Sequence, residues 1–186
     1  EMHNEYHVGD SGSGKTYVYY QLCEKYKPEN IYLATDFENG GFDYYIEQGA
    51  PPILFLDEFK GNIKYGQLLV ILDKYSRSQT HSRYANTYNL WTTCIITSVY
   101  PPEEVYTHMV SNGRQSIDKI DQLLRRLDII VYHYLENGEY KTFSIPAREY
   151  QGYQDLKRRA RADERGFEAC ENSTDIPFEN ERDRII

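Results

Sequence analysis

The sequence predicts an α/β fold in which helices flank a mainly parallel central sheet. From the start of the chain through Val99, short apolar segments with strand character alternate with segments whose apolar residues recur at helical spacing. The strand segments are apolar runs, which is typical of parallel strands buried on both faces. With 186 residues, 40% of them hydrophobic, the chain is long enough to build one domain around a core.

The predicted elements follow one another in short spans. Strands are predicted at residues 6–8, 30–35, 53–59 and 92–99, helices at 14–26, 65–75 and from 101 onward, an amphipathic segment at 117–127, and a hairpin at 128–145 with its turn at Asn137–Gly138. Residues 37–52 carry turn signals at Gly40–Gly41 and Pro51–Pro52 and are expected to be irregular. Residues 1–150 are therefore the predicted domain, and residues 151–186 a charged helix with a flexible, acidic tail.

Composition excludes several classes of protein. The net charge of −8 argues against a surface that is basic throughout, although local basic patches remain compatible with it. No apolar run approaches the roughly 18 residues that span a membrane, and no signal peptide is visible. The three cysteines, Cys23, Cys94 and Cys170, are odd in number and widely spaced. They fit a reducing cytoplasm better than a disulfide framework or a zinc site.

A glycine-rich loop lies between the first predicted strand and the first predicted helix. Its pattern is G-x-x-x-x-G-K-T, in which glycines allow the backbone N–H groups to surround a phosphate at a helix N-terminus. Lys15 is expected to reach the β- and γ-phosphates, and the Thr16 hydroxyl to ligate Mg²⁺. The predicted nucleotide contacts are Gly9, Asp10, Ser11, Gly12, Ser13, Gly14, Lys15 and Thr16.

Two acids follow the apolar strand "ILFL". Asp57 and Glu58 are predicted to lie at the carboxyl end of a central strand, where α/β sheets bind ligands. We expect Asp57 to hold Mg²⁺ and Glu58 to orient the attacking water. A hydrolase needs such a water-positioning residue, whereas a phosphotransferase must exclude water.

A basic and aromatic segment follows the acids. Between residues 59 and 90 the cations are Lys60, Lys64, Lys74, Arg77 and Arg83, and the only acid is Asp73, so five minus one gives a local charge of +4. Such cations can follow a phosphate backbone, and Tyr84 and Tyr88 can stack on bases. A solvated surface hairpin would have the same composition.

The run "FLDEFKGNIKYGQLLVILDKYSRSQTHSRYANTYNLWTTCIITSVYPPEEVY", followed by "DQLLRRLDIIVYHY", resembles the superfamily 3 helicase domain of rolling-circle replication initiator (Rep) proteins. Those proteins occur in small circular single-stranded DNA viruses and in related bacterial plasmids; "SVYPPEEVY" favours the plasmid branch. The resemblance extends over residues 6–150 and implies an AAA+-like P-loop NTPase fold.

The resemblance also implies roles for individual residues. Residues 9–16 correspond to the Walker A motif, and Asp57 with Glu58 to Walker B. Residues 81–89 lie where the family has the B′ hairpin that grips single-stranded DNA inside a ring, with Arg83 as first candidate contact and His81 as second. One of Arg125 and Arg126 corresponds to the arginine finger that reaches the neighbouring subunit's nucleotide. The candidate DNA contacts are His81, Arg83, Tyr84, Lys74 and Arg77.

The chain departs from the family in two respects. Val99 stands where the family's motif C has a γ-phosphate-sensing asparagine. Either Thr97 or Ser98 takes over that role, or hydrolysis is slow, because valine has no hydrogen-bonding side chain. Family members also carry an N-terminal endonuclease, but only a few residues precede the loop, and His3 and His7 do not fit its histidine pair. We therefore expect the helicase portion of a longer initiator, without nicking activity.

The expected function is an ATP- and Mg²⁺-dependent DNA helicase that works as a homo-oligomer, a hexameric ring by resemblance, on single-stranded DNA. The expected location is the bacterial cytoplasm for a plasmid protein and the host nucleus for a eukaryotic virus. Two alternatives remain open at this stage. One is a small P-loop nucleotide kinase, and the other is a nucleotide-binding oligomerisation or DNA-binding module with little hydrolysis.

Overall fold

The computed structural model describes residues 2–37, 41–74, 79–81, 86–88 and 90–163, with only the backbone described at 79–81 and 86–88. The strands are β1 (His3–Val8), β2 (Ile31–Ala34), β3 (Ile53–Leu56), β4 (Gln79–His81), β5 (Asn86–Tyr88), β6 (Thr93–Ser98), β7 (Ile129–Glu136) and β8 (Glu139–Pro146). The α-helices are α1 (Lys15–Tyr26), α2 (Tyr65–Ile71), α3 (Pro102–Met109), α4 (Asp121–Leu124) and α5 (Tyr153–Ala162). Short 3₁₀ turns lie at Pro28–Asn30, Asn112–Arg114 and Ala147–Glu149.

Six strands form one sheet in the order β2-β3-β6-β1-β7-β8. All neighbours pair in parallel except β7 and β8, which form an antiparallel hairpin. The predicted α/β architecture with a mainly parallel sheet is thus confirmed. Because parallel strands all point the same way, the carboxyl ends of β1, β3 and β6 share one edge, called the loop edge below. The amino ends of the same strands form the opposite edge.

Both faces of the sheet are apolar, since successive side chains of a strand alternate between them. On one face Tyr6, Leu54 and Ile96 belong to a large core that also contains buried residues of α2, α3 and α5. On the other face Phe55 and Ile95 pack with residues of α1 in a smaller core. Because both faces of these strands are buried, their sequences are nearly continuous apolar runs.

Local sequence explains where several elements begin and end. Helix α1 starts after Gly14, whose φ of 96° suits glycine, and ends one residue before Lys27-Pro28, as predicted. The β7–β8 turn is also confirmed, with Asn137 at φ 51° and Gly138 at φ 77°, because two-residue hairpin turns need left-handed residues. Strand β3 stops at Leu56, so Asp57 and Glu58 lie in the turn beyond it.

The amphipathic segment 117–127 is helical over only four residues, α4. Side chains of other helices bind the backbone just ahead of it. The hydroxyl of Tyr106 donates to the carbonyl of Asp118 at 2.5 Å, and that of Tyr65 donates to the carbonyl of Lys119 at 2.7 Å. These carbonyls are thereby held by side chains of α3 and α2, which the periodicity of the segment cannot reveal.

The remaining elements lie around the main sheet. Strands β4 and β5 form a separate antiparallel ladder in which Gln79 pairs with Tyr88 and His81 with Asn86. The predicted charged helix is confirmed as α5, which buries Leu156 and Ala160 in the main core. The predicted flexible tail lies outside the described residues. None of the helices in the described part of the chain has the length and apolar character needed to cross a membrane.

Candidate nucleotide site

The glycine-rich loop connects β1 to α1 at the loop edge. Gly12 and Gly14 have φ values of 77° and 96°, which favour glycine. Gly9 is required for a different reason: a Cβ there would lie 2.3 Å from the carbonyl oxygen of His133 on β7. The loop is closed by a hydrogen bond from the Ser13 N–H to the Asp10 carbonyl at 3.1 Å. The chain therefore forms the strand-loop-helix arrangement that phosphate binding requires.

Lys15 lies folded over its own loop. Its Nζ donates to the carbonyl of Gly9 at 2.5 Å and to that of Asp10 at 2.7 Å. Burial lowers the pKa of Lys15, while the charges of Asp10, Glu58 and Asp57 act in the opposite direction. Both acids that follow β3 are thus within electrostatic reach of this ammonium group.

The acid pair is fixed by Thr97 on β6. The Thr97 hydroxyl donates to Asp57 Oδ1 at 2.9 Å and accepts the N–H of Glu58 at 3.1 Å. Glu58 has a left-handed φ of 50°, which is uncommon for a residue other than glycine, and its side chain is exposed. One buried hydroxyl therefore holds the Asp57 carboxylate and the backbone of Glu58 at the loop edge.

The two hydroxyls of β6 are used differently. Ser98 is fully buried and donates to the carbonyl of Phe59 at 2.6 Å, while it accepts the N–H of Tyr100 at 3.0 Å. Its hydroxyl therefore binds backbone groups and does not contact the acids. Thr97 instead contacts the predicted magnesium ligand. Of the two residues predicted to replace the family's asparagine, Thr97 has the more direct connection to the site.

The predicted magnesium ligands have suitable chemistry. Thr16 is exposed on the first turn of α1, and Asp57 is half-buried, with Oδ1 accepting from Thr97. No cluster of three or more His, Cys, Asp or Glu side chains suited to a metal occurs among the described residues. Mg²⁺ does not need one, because it is usually held by one or two carboxylates together with water and substrate phosphates. The residues present therefore fit a magnesium-nucleotide site.

The arginine pair lies at the opposite edge of the sheet. The carbonyl of Arg126 accepts from Asn4 Nδ2 at 2.8 Å, and Asn4 is five residues before Gly9 along β1. At about 3.3 Å per residue, the Arg126 backbone beside Asn4 is about 16 Å from Gly9 of its own chain. The Arg126 guanidinium donates to the carbonyls of Leu69 and Gln122 at 3.1 and 2.7 Å, whereas Arg125 is exposed.

The candidate DNA contacts are only partly described. Lys74 forms an ion pair with Asp128, which also accepts the backbone N–H of Asn4. Arg77, Arg83 and Tyr84 lie outside the described residues, and His81 is described only as part of the β4 backbone. Gln79–His81 and Asn86–Tyr88 form an antiparallel ladder that overlaps the predicted hairpin of residues 81–89 but begins two residues earlier, and the prediction that its side chains bind DNA remains a prediction.

A chain of buried polar side chains on β1 and β7 was missed by the sequence analysis. Glu5 accepts from Nε2 of His3 at 2.8 Å and of His7 at 2.9 Å, and His7 Nδ1 lies 2.8 Å from His133 Nε2. Burial by itself would raise the pKa of Glu5, but the hydrogen bonds and charges of both histidines lower it to about 2. Burial, the charge of His7 and that of Lys15 lower the pKa of His133, which stays neutral. Because side chains alternate between the two faces of a strand, the sequence of β1 could have indicated that Glu5 and His7 share a face. It could not have indicated that His133 on β7 is their partner.

Comparison with protein-family models and with curated protein sequences finds no match to this chain. The functional assignment therefore depends on the site itself: a glycine loop, its lysine, two acids and one buried threonine at the same edge of a parallel sheet.

Proposed function

We propose that the protein is a P-loop NTPase that hydrolyses ATP as the helicase domain of a replication initiator of the Rep type. The observation that carries the proposal is the convergence of the loop with the acid pair. The Gly9 N–H donates to the carbonyl of Ser98 at 3.3 Å and the Thr97 hydroxyl donates to Asp57 at 2.9 Å, so β6 holds the loop and the acids at the same edge although they are more than 40 residues apart in the sequence.

Each group has a defined part in hydrolysis. The N-terminal turn of α1 binds the phosphates, and Lys15 leaves its loop carbonyls to contact the β- and γ-phosphates. Thr16 and Asp57 would hold Mg²⁺, which neutralises charge that builds on the phosphates. Glu58, exposed beside them, orients the attacking water.

In this proposal, a second subunit supplies the arginine that stabilises the charge on the transferred phosphoryl group. Arg125 and Arg126 are too far from the loop of their own chain to touch a nucleotide bound there. Arg125 is the better candidate because it is exposed, whereas the Arg126 guanidinium is held by two backbone carbonyls. An arginine finger contributes roughly a thousandfold or more to hydrolysis. This requirement supports the homo-oligomer, and a ring is the closed form that the resemblance implies.

The DNA-binding part of the proposal depends on the segment between β3 and β6. This segment has a charge of +4 from residue 59 to 90 in a chain of −8, and it contains the β4–β5 hairpin. Positive charge in this segment suits the phosphate backbone of a single strand. Movement of this hairpin during ATP turnover would translocate the DNA.

A nucleotide-binding module with little hydrolysis is the second candidate. It is favoured by Val99, which cannot sense a γ-phosphate, and by the commitment of the Ser98 hydroxyl to the backbone. Under that alternative, nucleotide binds without turnover even when single-stranded DNA is present.

The test is phosphate release from ATP with Mg²⁺, measured with and without single-stranded DNA, together with nucleotide binding. We expect turnover that DNA stimulates, and its loss in Lys15→Ala with the fold retained. Lys119→Ala removes an exposed lysine beyond α3 and serves as the matched control. Full turnover in Lys15→Ala would refute the assignment, and binding without turnover in the unmodified protein would favour the second candidate.

A further inference from the structure

A cavity of about 510 Å³ lies beside the phosphate loop, between α1 and the β7–β8 hairpin. Ser13 and Gly14 of the loop form part of its lining, so it borders the proposed phosphate site. Its walls include Val18 and Leu22 of α1 and Ile95 of β6, and its volume and apolar character are typical of ligand pockets.

Two exposed tyrosines line this cavity. Tyr17 on the first turn of α1 is 60% exposed, and Tyr140 on β8 is 63% exposed. The Tyr140 ring lies directly over the loop, because a Cβ on Gly14 would be 3.2 Å from its Cδ1. An exposed aromatic face beside a phosphate loop offers a stacking surface for a base.

The order of the strands sets the direction of a bound nucleotide. Asp57 and Thr97 lie on one side of β1, at the ends of β3 and β6, whereas β7 and β8 lie on the other side. A triphosphate whose γ-phosphate faces the acids directs its α-phosphate and nucleoside towards the β7–β8 hairpin. The cavity is on that side.

The charged groups of the cavity are already paired, which favours a neutral occupant. Glu5 is bonded to His3 and His7, and His7 to His133. Lys141 forms an ion pair with Glu136 at 2.8 Å. A second phosphate or another anion would find no unpaired cation among these residues, whereas a flat, uncharged ring suits the apolar walls and the tyrosines.

We propose that this cavity is the base-binding subsite of the nucleotide site and that it takes a purine, stacked on Tyr140. The purine is favoured because the larger base covers more of the aromatic and apolar surface. This inference rests on the proposed function, since it takes the phosphates to be held in the loop.

The test compares ATP with inorganic triphosphate by titration calorimetry, with Mg²⁺ present. Stacking contributes enough that Tyr140→Ala should weaken ATP binding about 5- to 100-fold, with triphosphate binding unchanged. Tyr140→Phe keeps the ring and should bind ATP like the unmodified protein. Tyr44→Ala removes an equally exposed tyrosine, 61% exposed, that does not line the cavity, and is the matched control.

A second variant distinguishes a loss of base binding from a loss of folding. Gln21→Trp places a large side chain in the cavity from α1 and should weaken ATP binding while sparing triphosphate, with circular dichroism confirming the fold. In the unmodified protein ATP should bind more tightly than CTP. Equal affinities for ATP and CTP, or unchanged ATP affinity in Tyr140→Ala, would overturn the inference.

The two proposals fail in different ways. If neither ATP nor triphosphate binds the unmodified protein, the phosphate site itself is refuted. If both bind equally and Lys15→Ala abolishes both, the phosphate site stands and only the base subsite is lost.

Discussion

Removal of the Thr97 hydroxyl tests whether this single group organises the site. Thr97→Val preserves the shape of a side chain that is 1% exposed, but leaves Asp57 Oδ1 and the Glu58 N–H without their shared partner. A hydrogen bond to a charged group contributes about 1.5–3 kcal/mol and a neutral one about 0.5–1.5 kcal/mol. Because Asp57 is half-buried and water can replace part of the first bond, we expect a loss of about 2 kcal/mol.

For a chain of this size that loss corresponds to a decrease in Tm of about 4–8 °C. ATP hydrolysis should fall at least tenfold, because the magnesium ligand and the water-orienting acid are no longer held in place. Thr97→Ser is the matched control: it removes one methyl group, a cost of about 1 kcal/mol, but keeps the hydroxyl and should keep most of the turnover. Scanning calorimetry and phosphate release measure the two effects. If valine and serine reduced turnover equally, or if valine changed neither quantity, the role assigned to the hydroxyl would be wrong.

Three further predictions concern other parts of the site. Gly9→Ala should lower Tm strongly, since its Cβ would approach the His133 carbonyl to 2.3 Å; a Tm equal to that of the unmodified protein would contradict the described contact. Arg125→Ala by itself should have no ATPase activity, but a mixture with Lys15→Ala should regain part of it, because a site formed between the two variants has an intact loop from one subunit and an intact arginine from the other. No recovery in a confirmed mixed oligomer would exclude a finger in trans. The pKa of Glu5 is lowered to about 2 from 4.5, so its stabilising contribution is complete above pH about 4.5 and is lost as pH falls towards 2. The free energy of unfolding in urea should therefore fall less between pH 4.5 and pH 2 for Glu5→Gln than for the unmodified protein. Identical pH dependences of the two proteins would contradict this prediction.

Local chemistry made much of the fold predictable. Lys27-Pro28 ends α1, and Asn137–Gly138 forms the β7–β8 turn, because in each case neighbouring residues restrict the backbone. The apolar run that ends at Leu56 was sufficient to predict that Asp57 and Glu58 emerge at the edge of a buried sheet.

Features that depend on distant partners were not predictable in this way. The insertion of β6 between β1 and β3 brings Thr97 to Asp57, 40 residues away, and no local pattern specifies that neighbour. The hydroxyl groups of Tyr65 and Tyr106, which bind the backbone ahead of α4, come from other helices. The approach of His133 to Gly9 likewise follows from the pairing of β7 with β1.

The fold-back of Lys15 onto the carbonyls of Gly9 and Asp10 has a consequence for affinity if the loop binds phosphate as proposed. The ammonium group must leave two neutral carbonyls before it can contact a phosphate oxygen, and the loss of those two bonds offsets part of the binding free energy. A phosphate oxygen is charged and accepts a stronger hydrogen bond than a carbonyl, so the exchange still favours the bound ligand. The cost is the same for every phosphate ligand, so the resting position of Lys15 lowers the affinity for all of them alike.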